Sequence, residues 1–389
     1  MHKLLSHLKG DKVIWMVVLF LLMLSFLAVY SAVSSLVWKA DGSSVGQLMK
    51  HTFFLALGAV VMYGVHLTPL SYISRGAQLL IWIVIVLLVL TLLFGSNINN
   101  ADRWLRVPGL GLTIQTSDFA KVVLILYTAR ELTVRRKLLG DFRKGVVPVL
   151  WPIVIVCGLI LPANFSTAAL LGFVCFLLMV FGGVPFRHLL KLMAGGMAIL
   201  VLVIAIGEFG PSSWLPRYQT WKNRLNHKEV EDGRLDDSNY QIQLAQYAIH
   251  EGGVIPKGPG SGSSRNFLPH PYSDMIFAFI IEEYGSILGG LFLVMLYLIF
   301  LFRVVRISIR SPKQFGALAA LGIGLIITIQ AFVNMGVAVD LLPTTGQPLP
   351  LVSMGGTSIV FVAIMFGIVL SISRFEDEKE EELTEFFEA

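Results

Sequence analysis

The sequence predicts an all-α, polytopic integral membrane protein with about ten transmembrane helices and a large extracytoplasmic loop between the seventh and eighth. Three observations carry that reading. Hydrophobic residues make up 55% of the 389-residue chain and charged residues only 14%, with a mean hydropathy of +0.75. A soluble chain of this length could not hide so much apolar surface without aggregating. The apolar residues also gather into runs long enough to cross a hydrocarbon core, and most basic residues fall in the short gaps between them. That placement excludes a nucleic-acid partner, for which basic residues would be interleaved with aromatics along an exposed stripe.

The spans follow in order. Lys3, Lys9 and Lys12 precede an apolar run at 13–37, which exceeds the ~7–15 residues of a signal-peptide core and reads as an uncleaved first helix. The other runs are 53–70, 77–94, 119–132, 146–161, 167–184, 189–206, 275–302, 315–339 and 357–372. Several fall short of the usual ~20 residues. The run 119–132 carries Lys121 and needs polar neighbours to be tolerated. Cys157 and Cys175 lie inside apolar runs and read as small core residues rather than a disulfide or metal site.

Topology follows from the charges. One alternating side collects the N-terminal lysines, Arg75, the basic residues from Arg130 to Lys144, Arg187, Lys191, Arg303, Arg306, Arg310, Lys313, Arg374 and Lys379. The short loops of the other side hold Lys39, Lys50, Arg103 and Arg106. The positive-inside rule puts both termini in the cytoplasm, in agreement with an even number of spans. No internal repeat of the kind common in secondary transporters stands out. The expected organisation is one transmembrane domain over 1–374, containing the loop at 208–273, followed by an acidic cytoplasmic tail at 375–389.

Two loops exceed simple connectors. The loop 95–118 carries Arg103, Trp104 and Arg106. The long loop opens with Trp214, Arg217, Tyr218, Trp221, Lys222 and Arg224, and closes Gly-rich from Gly252 to Gly262. Rings beside cations suit the headgroup level, so an interfacial anchor helix is one reading and a functional loop the other. The Gly-rich part is no P-loop, because no Gly-Lys-Ser/Thr follows at the needed spacing. It reads as a tight, irregular loop. The tail from Glu376 to Glu382 reads as a solvated end dispensable for chemistry.

Three motifs carry chemistry. Asp274 lies where the outer loop enters a helix, within Leu268-Pro269-His270-Pro271-Tyr272-Ser273-Asp274-Met275-Ile276-Phe277-Ala278. It is either an N-cap or a functional acid. Glu282 and Glu283 follow roughly 12–13 Å further along that helix, and read either as buried partners of a basic residue or as functional carboxylates. In the second motif, Gln115-Thr116-Ser117-Asp118-Phe119-Ala120-Lys121, Asp118 and Lys121 are three apart and can pair on one helix face. The third, from Pro343 to Ser358, is rich in Pro and Gly and cannot be regular helix. Such backbone is tolerated at membrane depth only where protein or a water-filled cavity surrounds it.

Taken together, these motifs resemble the SEDS family of peptidoglycan glycosyltransferases, the FtsW/RodA proteins, in order and over nearly the whole chain. The family's catalytic-aspartate stretch fits Leu268, Pro269, Asp274, Ile276, Phe277, Ala278, Glu282, Glu283 and Gly285. Its Gln-Pro-Ser-Glu-x-x-Lys motif fits Gln115, Ser117, Asp118 and Lys121. Its Pro-Leu-Pro-x-x-Ser-Tyr-Gly-Gly-Ser/Thr-Ser motif fits Pro348, Leu349, Pro350, Ser353, Gly355, Gly356, Thr357 and Ser358, and its Arg-Trp pair fits Arg103 and Trp104. Departures include His270 where the family often has Glu, Tyr272 for His, Ser273 for Thr, Thr116 for Pro, Asp118 for Glu and Met354 for Tyr. None removes the acid at 274.

The resemblance implies a substrate, lipid II, and polymerisation of its disaccharides through β-1,4 bonds at the outer face of the bacterial cytoplasmic membrane. It implies Asp274 as the catalytic base. Arg103, Lys121, Arg217 and Arg224 are the implied cations for the pyrophosphate, with Asp118 and Ser353 also at the substrate. No zinc or iron–sulfur ligand set is present, while a divalent cation (Mg or Mn) at the pyrophosphate fits the chemistry. The implied partners are a class B penicillin-binding protein and other division proteins, because the Thr-Gly-Gln-Pro-Leu-Pro wording points to the FtsW division branch rather than the RodA elongation branch. Two other classes stay open, a flippase for the lipid-linked precursor and a non-catalytic divisome scaffold. Neither needs a base at Asp274. Single cysteines introduced at Lys228 and Lys137 test the topology: a membrane-impermeant thiol reagent should label the first from outside and the second only from inside.

Overall fold

The computed structural model describes residues 9–34, 43–98, 101–106, 113–211, 218, 222, 237–264 and 273–388. Each apolar run falls largely on a helix. The helices are α1 (Lys12–Ser34), α2 (Ser43–His66), α3 (Leu70–Phe94), α4 (Thr116–Val134), α5 (Val147–Ile160), α6 (Phe165–Phe181), α7 (Phe186–Phe209), α8 (Asp237–Gly252), α9 (Ile276–Gly285), α10 (Phe292–Arg310), α11 (Gln314–Ala338) and α12 (Thr357–Glu388). A π-helical turn, Ser286–Leu291, joins α9 to α10 in one rod, Ile276–Arg310.

Among the described residues, eight helical segments are long and apolar enough to cross a bilayer. The other two predicted spans fall on α6, which has 17 residues, and on α4, which carries Asp118, Lys121, Arg130 and Glu131. The rod of 35 residues measures about 50 Å at 1.5 Å per residue. It exceeds the hydrocarbon thickness, and the π turn is where it can bend to fit.

The structure differs from the sequence reading in three places. The loop between α3 and α4 is a small antiparallel sheet in the order β1-β2-β3, formed by β1 (Ser96–Ile98), β2 (Ala101–Arg106) and β3 (Thr113–Gln115). Its strands are three to six residues long, too short to show a period-2 pattern. Helices α2 and α3 begin at Ser43 and Leu70, well before the apolar runs at 53 and 77. A hydropathy window marks only the lipid-facing part of a helix. The acidic tail is also helical, continuing α12 to Glu388.

Helix α11 forms the centre. Phe315, Leu318, Ile323, Ile327, Ala331 and Met335 are all buried along it. Helices in lipid gain little from the hydrophobic effect and approach closely through small residues instead. A Cβ on Gly322 would stand 2.6 Å from Ile125, one on Gly324 2.6 Å from Val304, and one on Gly367 2.6 Å from the Met62 carbonyl. These three sites lock α11 to α4 and α10, and α12 to α2. Helix α7 is the opposite case: only His188 and Leu189 are buried along its length.

Candidate functional site

The Pro/Gly-rich segment between α11 and α12 organises one end of the bundle. It has no helical ladder, so its backbone groups need other partners. Side chains from several helices supply them. Tyr297 donates to the Pro350 carbonyl at 2.6 Å, Gln330 Nε2 to Pro348 at 2.8 Å and Asn334 Nδ2 to Gln347 at 2.8 Å. Ser25 Oγ donates to the Val352 carbonyl at 2.8 Å, and the Gln347 side chain donates to Thr167 Oγ1 at 2.6 Å. Leu351 is buried at φ 61°, a left-handed conformation costing on the order of 1–3 kcal/mol in a non-Gly residue. The surrounding bonds hold it there.

Three helix starts converge on this segment. Ser353 Oγ accepts from the Leu349 amide at 2.8 Å and donates to the Ser273 carbonyl at 2.7 Å. Asn334 Nδ2 also donates to the Asp274 carbonyl at 2.7 Å. The turn before α9 is therefore held by its backbone at both residues. Ser358, in the first turn of α12, donates to the Asp118 carboxylate, and Thr357 Oγ1 donates to the Thr113 carbonyl at 3.1 Å. The starts of α4, α9 and α12 thus meet with their positive dipole ends at one place, an arrangement suited to an anion.

Asp118 and Lys121 form an ion pair at 2.8 Å, each 2% exposed. Lys121 Nζ also donates to Gln330 Oε1 at 2.9 Å. An ammonium has three donors, and these two bonds leave one. The pair lines a cavity of only about 10 Å³ together with Pro348, Ser353 and Ser358, barely room for one water. The pairing that the i, i+3 spacing allows is formed.

Asp274 is half-buried. The N-cap position of α9 is Met275, and Asp274 stands one residue before it. Glu282 differs from the expected pairing with a basic side chain. Glu282 accepts from the Ser263 and Ser264 amides at 2.8 and 3.1 Å and from the Ser264 hydroxyl, and no ion pair reaches it among the described residues. Glu283 accepts from the Gly260 amide at 2.9 Å and from Ser31 Oγ at 2.5 Å. Backbone N–H groups can satisfy a buried carboxylate as a cation would.

The same contacts fix the Gly-rich loop. The Ser286 amide bonds the Gly253 carbonyl and the Gly258 amide bonds the Glu283 carbonyl, both at 2.9 Å. A Cβ on Gly285, at φ 76°, would stand 2.6 Å from the Val254 carbonyl. The Glu282, Glu283 and Gly285 motif is thus a clamp that ties the end of the long loop to the helix Asp274 leads into. At the start of that loop, Tyr218 and Lys222 both donate to Glu208, at 2.8 and 2.6 Å. Those bonds raise the pKa of each donor above its ordinary value.

Of the other expected site residues, Arg217 and Arg224 lie outside the described residues. Arg103 is placed by its backbone alone: it lies in β2 beside Trp104, which pairs with Gln115 at the entry to α4. Gln330 and Asn334 were missed by the sequence reading. Two polar residues at i, i+4 within an apolar span share a face, and that signal was available. Ser25, Thr167 and Tyr297 offered no signal, since their bonds join residues 327, 180 and 53 positions apart.

The sequence and fold match known proteins closely enough to place the chain. It matches the FTSW_RODA_SPOVE family, described as "Cell cycle protein", over residues 11–378, and it belongs to that family. Stage V sporulation protein E of Bacillus subtilis is 30% identical over 94% of this chain and 97% of its own. Peptidoglycan glycosyltransferase MrdB of Escherichia coli K12 is 31% identical over 90% of this chain and 92% of its own. The crystal structure of Thermus thermophilus RodA superposes with a TM-score of 0.66 at 23% identity, over 94% of this chain and 97% of that one. A chain from a peptidoglycan synthase complex superposes with a TM-score of 0.74 at 24% identity, over 94% and 98%.

The buried pair gives a stability test. Lys121→Met strands an uncompensated carboxylate and should cost about 3–5 kcal/mol, whereas adding Asp118→Asn should recover much of it. Thermal unfolding in detergent reads both. Equal melting of Lys121→Met and the parent would show that the pair is not closed in solution.

Proposed function

We propose that this protein is a peptidoglycan glycosyltransferase that polymerises lipid II into β-1,4-linked glycan strands at the outer face of the bacterial cytoplasmic membrane. One observation carries the reading: an acid, Asp274, stands on a turn pinned by Asn334 and Ser353, beside a buried Asp118–Lys121 pair and three converging helix starts. Relatives at 28–31% identity carry the name peptidoglycan glycosyltransferase. Asn334 lies twenty residues along α11 from Gln314, about 30 Å, so Asp274 belongs at the membrane boundary, where the sugars of a lipid-anchored substrate sit.

The chemistry follows from that placement. A sugar hydroxyl is a poor nucleophile at neutral pH. Asp274 takes the acceptor hydroxyl's proton as the oxygen bonds the donor's anomeric carbon. The bond from that carbon to the pyrophosphate breaks, and the lipid pyrophosphate leaves with the electron pair. The growing phosphate charge faces the helix N-termini, with Arg103, Arg217 and Arg224 as further cations. A bridging Mg²⁺ or Mn²⁺ would draw its ligands mainly from the phosphates, since no three His, Cys, Asp or Glu side chains group among the described residues. The partner is a class B penicillin-binding protein, a reading supported by the likeness to a chain from a complex of coordinated polymerisation and crosslinking.

The setting is cell division, supported by the family description and by relatives named FtsW. A fluorescent fusion should form a midcell band; uniform lateral signal would assign it to elongation instead.

Purified protein with lipid II, with and without that partner, tests the activity. Asp274→Asn removes the base and should slow polymerisation on the order of 10²–10⁴-fold while melting and lipid II binding stay near the parent's. Asp274→Glu displaces the carboxylate by about 1 Å and should lose on the order of 10²-fold. Asp118→Asn should lower stability or binding more than the chemical step. Near-normal polymerisation by Asp274→Asn would overturn the assignment and return the flippase and scaffold readings.

A further inference from the structure

At the far end of the same rod, where α10 finishes, a cavity of about 240 Å³ opens between α1, α10 and α12. The two cavities lined by residues at the Asp274 end hold only about 10 and 20 Å³. Its charged lining is Asp11, Lys12, Arg303, Arg306 and Arg310, with Ser373 beside them. Asp11 is already committed. It is 8% exposed, its Oδ1 caps α1 through the Val13 and Ile14 amides, and its Oδ2 pairs with Arg303 at 2.5 Å. Its own amide donates to Ser373 Oγ at 2.7 Å.

The single acid is therefore neutralised by Arg303, and Lys12, Arg306 and Arg310 form no ion pair among the described residues. Arg303, Arg306 and Arg310 lie three and four apart on one helix face, where like charges repel. Their position at the C-terminus of α10 relieves part of that through the helix dipole, but among the described residues Lys12, Arg306 and Arg310 around this polar cavity have no counter-charge. The ordinary reading is cations snorkelling to the cytoplasmic headgroups. That reading accounts for the charges but not for a built cavity walled by three helices and braced by the buried Asp11.

We propose that this cavity is a phosphate site for the headgroup of an anionic phospholipid, gripped by Lys12, Arg306 and Arg310 and braced by the Asp11–Arg303 pair. Guanidinium groups match phosphate oxygens bidentately. Basic pockets between membrane helices on the cytoplasmic side take such headgroups. The bound lipid would tie the first helix to α10 and α12 at their cytoplasmic ends, away from the proposed chemistry.

Native mass spectrometry of the full-length protein, released from nanodiscs of phosphatidylcholine with a minority of phosphatidylglycerol, tests this. The parent should keep a phosphatidylglycerol adduct. Arg306→Gln with Arg310→Gln should retain it roughly 30-fold less, from the loss of two cations near the surface. Arg306→Lys with Arg310→Lys, which keeps the charge, should hold it within a few-fold, and melting curves of both pairs should match the parent's. Equal retention by the Gln pair would overturn the proposal. Inorganic phosphate at millimolar concentration should not displace the adduct; displacement would assign the site to soluble phosphate and refute the lipid. Truncation after Phe375 removes the acidic tail and should leave retention unchanged. Lipid bound only after truncation would mean that the tail fills the cavity, and the proposal would fail.

Discussion

The bilayer forbids an unpaired backbone polar group, and that constraint governs how this protein builds a site. A helix satisfies its own backbone, so most of the chain can face lipid without further help. The segment between α11 and α12 cannot. Its carbonyls at Gln347, Pro348, Pro350 and Val352 are met by Asn334, Gln330, Tyr297 and Ser25. Each bond draws another helix toward the segment. The need to satisfy irregular backbone therefore becomes the means of assembly. Asn334 and Ser353 bond both this segment and the turn bearing Asp274, so the acid is positioned by the same contacts that make the segment possible.

Charge is handled by the same economy of partners. Asp118 and Lys121 neutralise each other in the interior, and Gln330 links that pair to the Pro348 carbonyl. Glu282 needs no cation because two serine amides of the Gly-rich loop and a hydroxyl take its place. The result is a long loop clamped at its end while the acid it leads to stays at the mouth of a helix. At the other end of the bundle, Asp11 is capped and paired, while the remaining cations face a cavity. The two ends thus differ in kind. One is closed around its charges; at the other, the described residues leave more cations than acids around an open cavity.

Much of this was legible in the residues. The apolar runs located the starts of the membrane helices to within a few positions in the C-terminal half. The i, i+3 spacing of Asp118 and Lys121 foretold their pair. The Pro/Gly run at 343–356 announced irregular backbone that protein must surround. Where the reading fell short, the reason is physical. The partners of Glu282 are serine amides and hydroxyls, which no charge pattern displays. The sheet at 96–115 is held by a few ladder bonds and has no periodicity to detect.

The sequence by itself determined that the chain spans a membrane, which segments are helical, and which acids and cations stand at helix entries, because hydropathy, charge and Pro/Gly content act locally along the chain. Only the tertiary structure decided which of those groups meet. Ser25 reaches Val352 across 327 residues and Ser358 reaches Asp118 across 240. Such pairings depend on how helices pack, and packing between apolar helices in lipid is set by close contact of small residues and by scattered polar bonds rather than by any local pattern.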